Sequence, residues 1–195
     1  MESPWSHAEP FDFIFGRYLI TAIKDFPALV KSAYELGAPG ICQRLSSRAN
    51  CNVLRRNVVP GGWVEFQDFD LQYYSDDDTL PADACTLAWD KLIIEASERA
   101  GMEPSPGPKL EKYFKAAGFQ NVTKRQFKIP IGSWPKNPAL KEVGALYLGQ
   151  MLEGLEGFSL RLMCDVLGWE EGDVKKFLEK VRREFISGKQ HIYMV

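Results

Sequence analysis

Short apolar runs and longer stretches with helical spacing alternate along the first third of the chain. Residues 11–16 (FDFIFG) are almost continuously apolar, which is typical of a strand buried on both faces in a parallel sheet. Asp25 then precedes apolar positions at helical spacing, so it is a candidate helix cap. A Pro-Gly-Gly turn at residues 60–62 leads into a second strand-like run at residues 63–68. Strand, helix, turn and strand predict a βαβ unit.

Helical spacing dominates the rest of the chain. It predicts a helix over residues 81–100, another that starts after the prolines at residues 106–108, and a series of helices after residue 137. Residues 122–129 are predicted to form a strand, because Phe127 and Ile129 share one face with Ile131. The predicted helix boundaries are polar caps and glycine stops: Gly101, Gly118, Asn137, Ser159 and Gly188.

Composition places the chain among globular proteins. Its 195 residues are 45% hydrophobic and 12% aromatic, with a formal net charge of −2. No basic excess points to a nucleic acid, and no apolar run is long enough for a membrane span, so we expect a cytoplasmic or nuclear protein. No metal site is expected, because the four cysteines lack paired spacing and the acidic stretch YSDDDT lacks the glycine and distal glutamate of a calcium loop.

Several blocks of sequence carry a resemblance to a known family: FDFIFGRYLITAIKDFPALVKSAYE, PGGWVEFQDFDLQYYSDDDTLP, LEKYFKAAGFQNV, IGSWP and LEGLEGFSLRLMCDVLGW. Together they resemble the fungal LaeA-like methyltransferases of secondary metabolism, which depend on S-adenosylmethionine. The resemblance implies an α/β fold, namely a partial Rossmann-like class I methyltransferase fold with an α-helical C-terminal cap at residues 138–188. It also implies that residues 11–16, 63–68 and 122–129 are the fourth, fifth and sixth strands of the family's sheet.

The resemblance also marks what this sequence lacks. The family's glycine-rich cofactor loop is absent, and the HIYMV segment only begins a strand, so we expect a single incomplete domain over residues 1–195. Since the resemblance begins at the family's fourth strand, we expect the first strand of this sequence to lie at an exposed edge, which would favour oligomers or aggregates. Two functions therefore stay open. One is a methyltransferase of secondary metabolism or its regulation, and the other is a catalytically inactive, truncated remnant that acts as an interaction module.

Residues 37–59 interrupt the resemblance as an insertion between the first helix and the second strand. They carry four arginines and two cysteines but no acidic residue, and they show neither helical nor strand periodicity. Three interpretations are open: a retained intron read as protein, a basic loop that binds a partner or an import receptor, and an ordinary surface loop. Lengthening a connection to this size costs only about 2 kcal/mol, so the insertion does not forbid folding.

Candidate site residues follow the two predicted strands, because ligands of open α/β sheets bind outside the strand carboxyl ends. The resemblance implies that Gly16, Arg17 and Tyr18 bind the cofactor. It implies a set of residues that border the pocket of a small-molecule methyl acceptor or face a regulatory protein partner: Gln67, Asp68, Asp70, Tyr73, Tyr74 and Trp134. No catalytic residue can be assigned.

Structural alternatives exist for each of these residues. Arg17 can instead form an ion pair at a helix start with Asp25. The carboxylates can be solvated strand ends, because methyl transfer depends chiefly on the alignment of donor and acceptor. The aromatic residues can be core or lid packing.

Overall fold

The computed structural model describes residues 10–34 and 58–195, which divide into two compact units. The first unit contains residues 10–34, 58–68 and 106–124, and the second contains residues 69–105 and 125–195. No helix in these described ranges is both long and apolar enough to cross a membrane. The predicted insertion at residues 37–59 lies outside the described residues except for Val58 and Val59, which begin a strand.

The described elements, in chain order, are β1 (Phe11–Arg17), α1 (Phe26–Tyr34), β2 (Val58–Gln67), β3 (Tyr74–Ser75), α2 (Cys85–Arg99), α3 (Gly107–Ala117), β4 (Ile129–Pro130), α4 (Pro138–Leu160), a π-helical turn (Arg161–Val166), α5 (Glu171–Ser187) and β5 (Ile192–Met194). The chain is thus a mixed α/β protein with two small sheets among its described residues.

The first unit confirms the predicted βαβ arrangement. Strands β1 and β2 are parallel, and their register places Phe13 beside Trp63 and Arg17 beside Gln67. Asp25 caps α1 as predicted, since its carboxylate accepts a hydrogen bond of 2.8 Å from the amide of Ala28. Helices α1 and α3 then share a small apolar core of four buried side chains: Phe26, Val30, Leu110 and Phe114. The rest of the Rossmann-like fold implied by the resemblance stays a prediction.

The second unit contains an antiparallel sheet in the order β3–β5–β4. The sequence predicts a strand over residues 122–129, and this is wrong except for its last residue, because β4 is only Ile129–Pro130. Phe127 in the predicted strand is 69% exposed, so the alternating pattern there does not mark a buried face. Alternation of apolar and polar residues does not by itself form a strand, because a strand also requires a neighbouring strand to pair with.

The HIYMV segment also differs from its prediction. Instead of an unfinished strand, Ile192–Met194 is the middle strand of the three-stranded sheet. Tyr193 lies opposite Tyr74 on one side and Pro130 on the other. All three of its side chains are buried.

The helices of the second unit enclose its main core. Trp89 of α2 packs against Phe185 of α5 with ring centroids 6.2 Å apart. Ser159 is predicted to cap a helix, but it lies inside α4 and is fully buried. Its hydroxyl accepts from Trp89 Nε1 at 2.8 Å and donates to the carbonyl of Leu155 at 2.6 Å, so it links two helices instead of starting one.

Other predicted boundaries are confirmed. The Asn137 side chain accepts from the amides of Ala139 and Leu140 at the start of α4. Gly118 and Gly188 end α3 and α5 with φ of 101° and 63°, a left-handed conformation that glycine adopts without the strain of a Cβ atom. Residues 138–188 are therefore largely helical as predicted, while their role as a cap over a pocket stays a prediction.

Asp90 is an acid buried in the second unit, where it is only 3% exposed. Its carboxylate accepts a hydrogen bond of 3.2 Å from the amide of Tyr73. Burial raises the pKa of Asp90 to about 7, although the hydrogen bond from Tyr73 opposes this change and the negative charge of Asp70 adds to it. Ionised Asp90 therefore weakens the folded state.

Replacing Asp90 by Asn should stabilise the protein at alkaline pH. The pKa of Asp90 is higher in the folded state than in the unfolded state, so the protonated form favours folding. This contribution to stability is fully present below the unfolded-state pKa and is lost as the pH rises through the folded-state pKa of about 7. We expect Asp90→Asn to raise the free energy of unfolding by about 4 kcal/mol near pH 8, and most of this difference to vanish towards pH 4. Urea unfolding followed by tryptophan fluorescence measures it, with the exposed Asp165→Asn as the control. A difference that does not change with pH would contradict this interpretation.

Candidate functional site

The carboxyl ends of β1 and β2 bring several predicted site residues to one edge of the first unit. Gly16 lies beside Phe66 and Arg17 beside Gln67 in the parallel register. Asp68 follows directly after β2. The sequence therefore places the predicted cofactor residues and two of the predicted acceptor residues at the same strand ends, as expected for a parallel pair.

The turn after β1 has an unusual backbone. Tyr18 and Thr21 have φ of 52° and 58°, although neither is glycine. This conformation costs a residue with a side chain roughly 1 kcal/mol, so other contacts must hold it. The Tyr18 amide donates to the carbonyl of Gln67 at 3.2 Å, and the Leu19 amide donates to Asp68 Oδ2 at 2.9 Å. Strained turns of this kind often occur at functional sites.

Arg17 and Tyr18 form an exposed pair at this edge. Arg17 Nη2 donates to the Tyr18 hydroxyl at 3.2 Å, and the guanidinium carbon lies 4.5 Å from the centre of the Tyr18 ring. The carboxylate of Asp25, the alternative partner for Arg17, caps α1. The pair therefore presents a guanidinium, which can bind a carboxylate, and an aromatic ring, which can bind a cation.

Gly16 is required for packing within the protein. A Cβ atom at this position would lie 2.9 Å from Leu19 Cδ1 and 2.9 Å from Phe66 Cδ1. The space beside Gly16 is thus filled by side chains of this chain. Its role in cofactor binding stays a prediction.

The remaining predicted site residues lie in the second unit and divide by burial. Tyr73 is 5% exposed and packs against Trp89 and Phe185, so the structure gives it a core position, which matches the structural alternative. Burial raises the pKa of Tyr73 well above its ordinary value. Asp70 is 4% exposed and accepts a hydrogen bond of 2.7 Å from the Tyr74 hydroxyl. Direct substrate contact by Tyr73 and Asp70 stays a prediction.

Tyr74 and Trp134 lie at the β3–β5–β4 sheet beside two aromatic residues that sequence reasoning missed. The Tyr74 and Tyr193 rings are stacked at 5.8 Å, and the Trp134 and His191 rings are stacked at 5.1 Å. His191 and Tyr193 are two positions apart on an extended segment and so share one face of the sheet. We call these four residues, with Asp76, Asp77 and Lys128, the β5 face.

The charged members of the β5 face are held by its aromatic members. Asp76 accepts a hydrogen bond of 2.7 Å from the Tyr193 hydroxyl and is paired with Lys128, whose Nζ lies 4.3 Å from the centre of the Tyr193 ring. Asp77 is paired with His191 at 2.7 Å. The spacing of His191 and Tyr193 by two positions could have predicted that they share a face. Their acidic partners could not be predicted, because they belong to a turn more than a hundred positions away.

Tyr74 is one of several groups of the β5 face whose pKa is shifted. Burial, followed by the hydrogen bond to Asp70, raises the pKa of Tyr74 to about 12. This hydroxyl therefore stays protonated at neutral pH and acts as a donor to Asp70. Within residues 10–34 and 58–195, no three His, Cys, Asp or Glu side chains come close enough together to hold a metal ion.

Comparison with known proteins shows that the chain is similar to curated fungal methyltransferases and to LaeA-type regulators of secondary metabolism. The match covers nearly the whole chain, and it confirms the resemblance predicted from the sequence. No family model and no solved structure matches the chain.

The similar proteins include methyltransferase pytC of Aspergillus terreus, which is 36% identical over 191 residues, covering 98% of this chain and 52% of pytC. The protein named "Probable methyltransferase tdiE" of Emericella nidulans is 30% identical over 190 residues, covering 97% of this chain and 53% of tdiE. The secondary metabolism regulator LAE1 of Cochliobolus heterostrophus is 27% identical over 194 residues, covering 98% of this chain and 57% of LAE1. The chain thus spans about half the length of the curated relatives it matches.

Replacing Asp68 by Ala should loosen the turn after β1. The substitution removes the carboxylate that accepts from the Leu19 amide, a bond worth about 1 kcal/mol. We expect the Leu19 amide to exchange with solvent about fivefold faster, measured by NMR hydrogen exchange. The control is Glu65→Ala, which removes an exposed hydrogen bond to Gln67 on the same strand. Equal exchange in both variants would show that Asp68 does not hold the turn.

Proposed function

We propose that the protein is an S-adenosylmethionine-dependent methyltransferase of secondary metabolism or its regulation. The observation that carries this proposal is the 36% identity to a named methyltransferase over 98% of the chain. The parallel β1–β2 pair supports it, because such a pair presents ligand-binding residues at its carboxyl ends. The proposal includes the Rossmann-like character of the fold.

The β1 edge is proposed as one wall of the cofactor site. Arg17 offers a guanidinium to the cofactor carboxylate, and Tyr18 offers the outer face of a half-exposed ring to its sulfonium group. The cofactor, when bound, supplies an activated methyl group. The strained turn held by Gln67 and Asp68 keeps both side chains at the strand end and so reduces the entropy lost on binding.

The acceptor side is proposed to include Gln67 and Asp68, which lie at the strand ends of the first unit beside the proposed cofactor wall. Because the similar proteins are named as methyltransferases and as regulators of secondary metabolism, the proposal covers two kinds of acceptor: a small molecule or a regulatory protein.

A second function, an interaction module, is favoured by one observation. Phe13 and Phe15 are each 51% exposed, and Trp63 is 70% exposed. Three large aromatic side chains on one small sheet form the kind of apolar patch that binds other proteins. This function does not require a cofactor, so cofactor binding separates the two.

Calorimetric titration with S-adenosylhomocysteine tests the proposed function. We expect a dissociation constant in the micromolar range and, for Arg17→Ala, a loss of about tenfold, because a hydrogen bond to a charged group is worth roughly 1.5 to 3 kcal/mol. The matched control is Lys24→Ala, which removes an exposed positive charge elsewhere in the first unit. No heat of binding up to millimolar ligand would reject the methyltransferase and favour the interaction module, which light scattering would then reveal as an oligomer.

A further inference from the structure

The two-stranded sheet of the first unit has an inner face and an outer face. Successive side chains of a strand point to opposite faces. On the inner face, Ile14 of β1 packs against Ala33 of α1, and the ring of Phe66 in β2 lies 5.3 Å from that of Phe114 in α3. The odd-numbered residues of β1 therefore lie on the outer face: Phe11, Phe13 and Phe15.

Strand β2 adds a fourth aromatic ring to the outer face. The parallel register places Trp63 beside Phe13, and the ring centroids of Phe13 and Phe15 are 6.2 Å apart. Charged side chains follow towards the strand ends on the same face, with Glu65 beside Phe15 and Arg17 beside Gln67. We call four of these residues the aromatic face: Phe11, Phe13, Phe15 and Trp63.

The aromatic face exposes a large apolar surface. Phe11 is 37% exposed, and each of the other three rings is more than half exposed. Since an aromatic side chain has about 150 to 250 Å² of surface, the four rings together expose roughly 400 Å². Parallel strands normally have both faces covered, and an apolar patch of this size marks an interaction site. We therefore expect another surface to cover the aromatic face.

The area of the aromatic face is sufficient for a contact between two copies of this chain. A two-fold contact uses the same patch on both subunits, so two aromatic faces would bury roughly 800 Å² of aromatic surface. Their polar borders bring the total to about 1,000 Å², where specific interfaces begin. Sheets that stack face to face lie about 10 Å apart, a distance that interdigitated aromatic side chains fill.

The charges beside the aromatic face determine how two copies can align. If the two-fold axis runs parallel to the strands, β1 lies over β2 of the second copy. Phe15 of one copy then covers the Glu65 carboxylate of the other, and removing this charge from water costs free energy.

An axis perpendicular to the strands, level with Phe13, avoids this cost. Rings then stack on rings, and the charged strand ends of the two copies point in opposite directions. Glu65 is two positions beyond Trp63, so the two Glu65 carboxylates lie about 13 Å apart along the strands. This distance exceeds the screening length of roughly 8 Å at physiological salt, so the like charges repel each other only weakly.

We propose that the aromatic face joins two copies of this chain in an antiparallel, two-fold contact centred on Phe13. The inference rests on the second function proposed above, the interaction module, and it names the partner as a second copy. Arg17 and Tyr18 lie at the strand ends, outside the centre of the contact. The dimer is therefore compatible with cofactor binding at the β1 edge.

Sedimentation equilibrium of the intact chain tests the proposal. We expect a reversible monomer–dimer equilibrium with a dissociation constant of about 1 to 100 µM, as for an interface at the small end of the range. A chain that is monomeric at several times the upper concentration would overturn the proposal and assign the aromatic face to a different protein. Open-ended aggregates would also overturn it, because they indicate pairing through a strand edge.

A charge at the centre of the aromatic face assigns the dimer to this contact. Phe13→Glu places two like charges on the axis and should weaken the dimer about a hundredfold, because like charges at an interface repel each other strongly. The matched control is Phe127→Glu, the same change at an aromatic residue of the second unit that is 69% exposed, and it should leave the dimer unchanged. A dimer that persists in Phe13→Glu would overturn the proposal.

Opposite charges at Phe13 test the two-fold alignment. Phe13→Lys should also be monomeric, but a mixture of the Phe13→Lys and Phe13→Glu chains should form a mixed dimer at least about tenfold tighter than either chain alone. A mixed dimer would also show that both variants are folded. If both variants keep the circular dichroism of the unmodified chain but their mixture stays monomeric, the contact is not centred on Phe13 and the proposal is overturned.

Binding of S-adenosylhomocysteine is measured separately on the same protein. A dimer that does not bind this ligand would refute the methyltransferase function and keep the dimer. A chain that binds the ligand but stays monomeric would refute only the dimer.

Discussion

Pairing of β5 on both of its edges is the constraint on which the second unit depends. Ile192 is 1% exposed, and its carbonyl accepts from the Ile131 amide at 2.9 Å and from Trp134 Nε1 at 3.2 Å. The Val195 carbonyl accepts from the Asp70 amide at 3.2 Å. A strand of three residues thus anchors the aromatic ring beside His191 and the segment that leads to Tyr74. Without it, the stacked rings of the β5 face would have no common support.

The first unit depends on a different constraint, the parallel register of β1 and β2. That register places Arg17 beside Gln67, and the left-handed turn at Tyr18 is closed by hydrogen bonds from β2 and from Asp68. The backbone strain at Tyr18 is therefore balanced by contacts that exist only when the two strands pair. The same contacts position the Arg17 guanidinium and the Tyr18 ring, which we propose to bind the cofactor.

The sequence predicts correctly those elements that are determined by residues close together in the chain. The cap at Asn137 and the stops at Gly118 and Gly188 belong to this kind, and so does the βαβ unit. The strand predicted over residues 122–129 failed because alternation does not reveal whether a partner strand is present. Ser159 failed because a serine inside a helix can serve a neighbouring helix, and the partner, Trp89, is 70 positions away.

The candidate site was predictable to the same limited extent. The resemblance to LaeA-like methyltransferases located the strand ends, and the parallel pair brings Gly16, Arg17 and Gln67 together there. It did not find the Asp77–His191 pair, whose members are 114 positions apart and meet only through the β3–β5 pairing. An acidic turn and a single histidine carry no signal of each other in the sequence, because their contact is made by the fold.

Hydrogen exchange of two amides in the intact chain tests this account most directly. The Ile131 and Asp70 amides donate to carbonyls of Ile192 and Val195, so their exchange reports whether the β5 segment is docked. If β5 organises the second unit, both amides exchange as slowly as the buried amides of α5, near the limit set by global unfolding. Exchange of these amides at the rate of an unprotected chain, while α5 stays protected, would show that β5 is not the support of the β5 face.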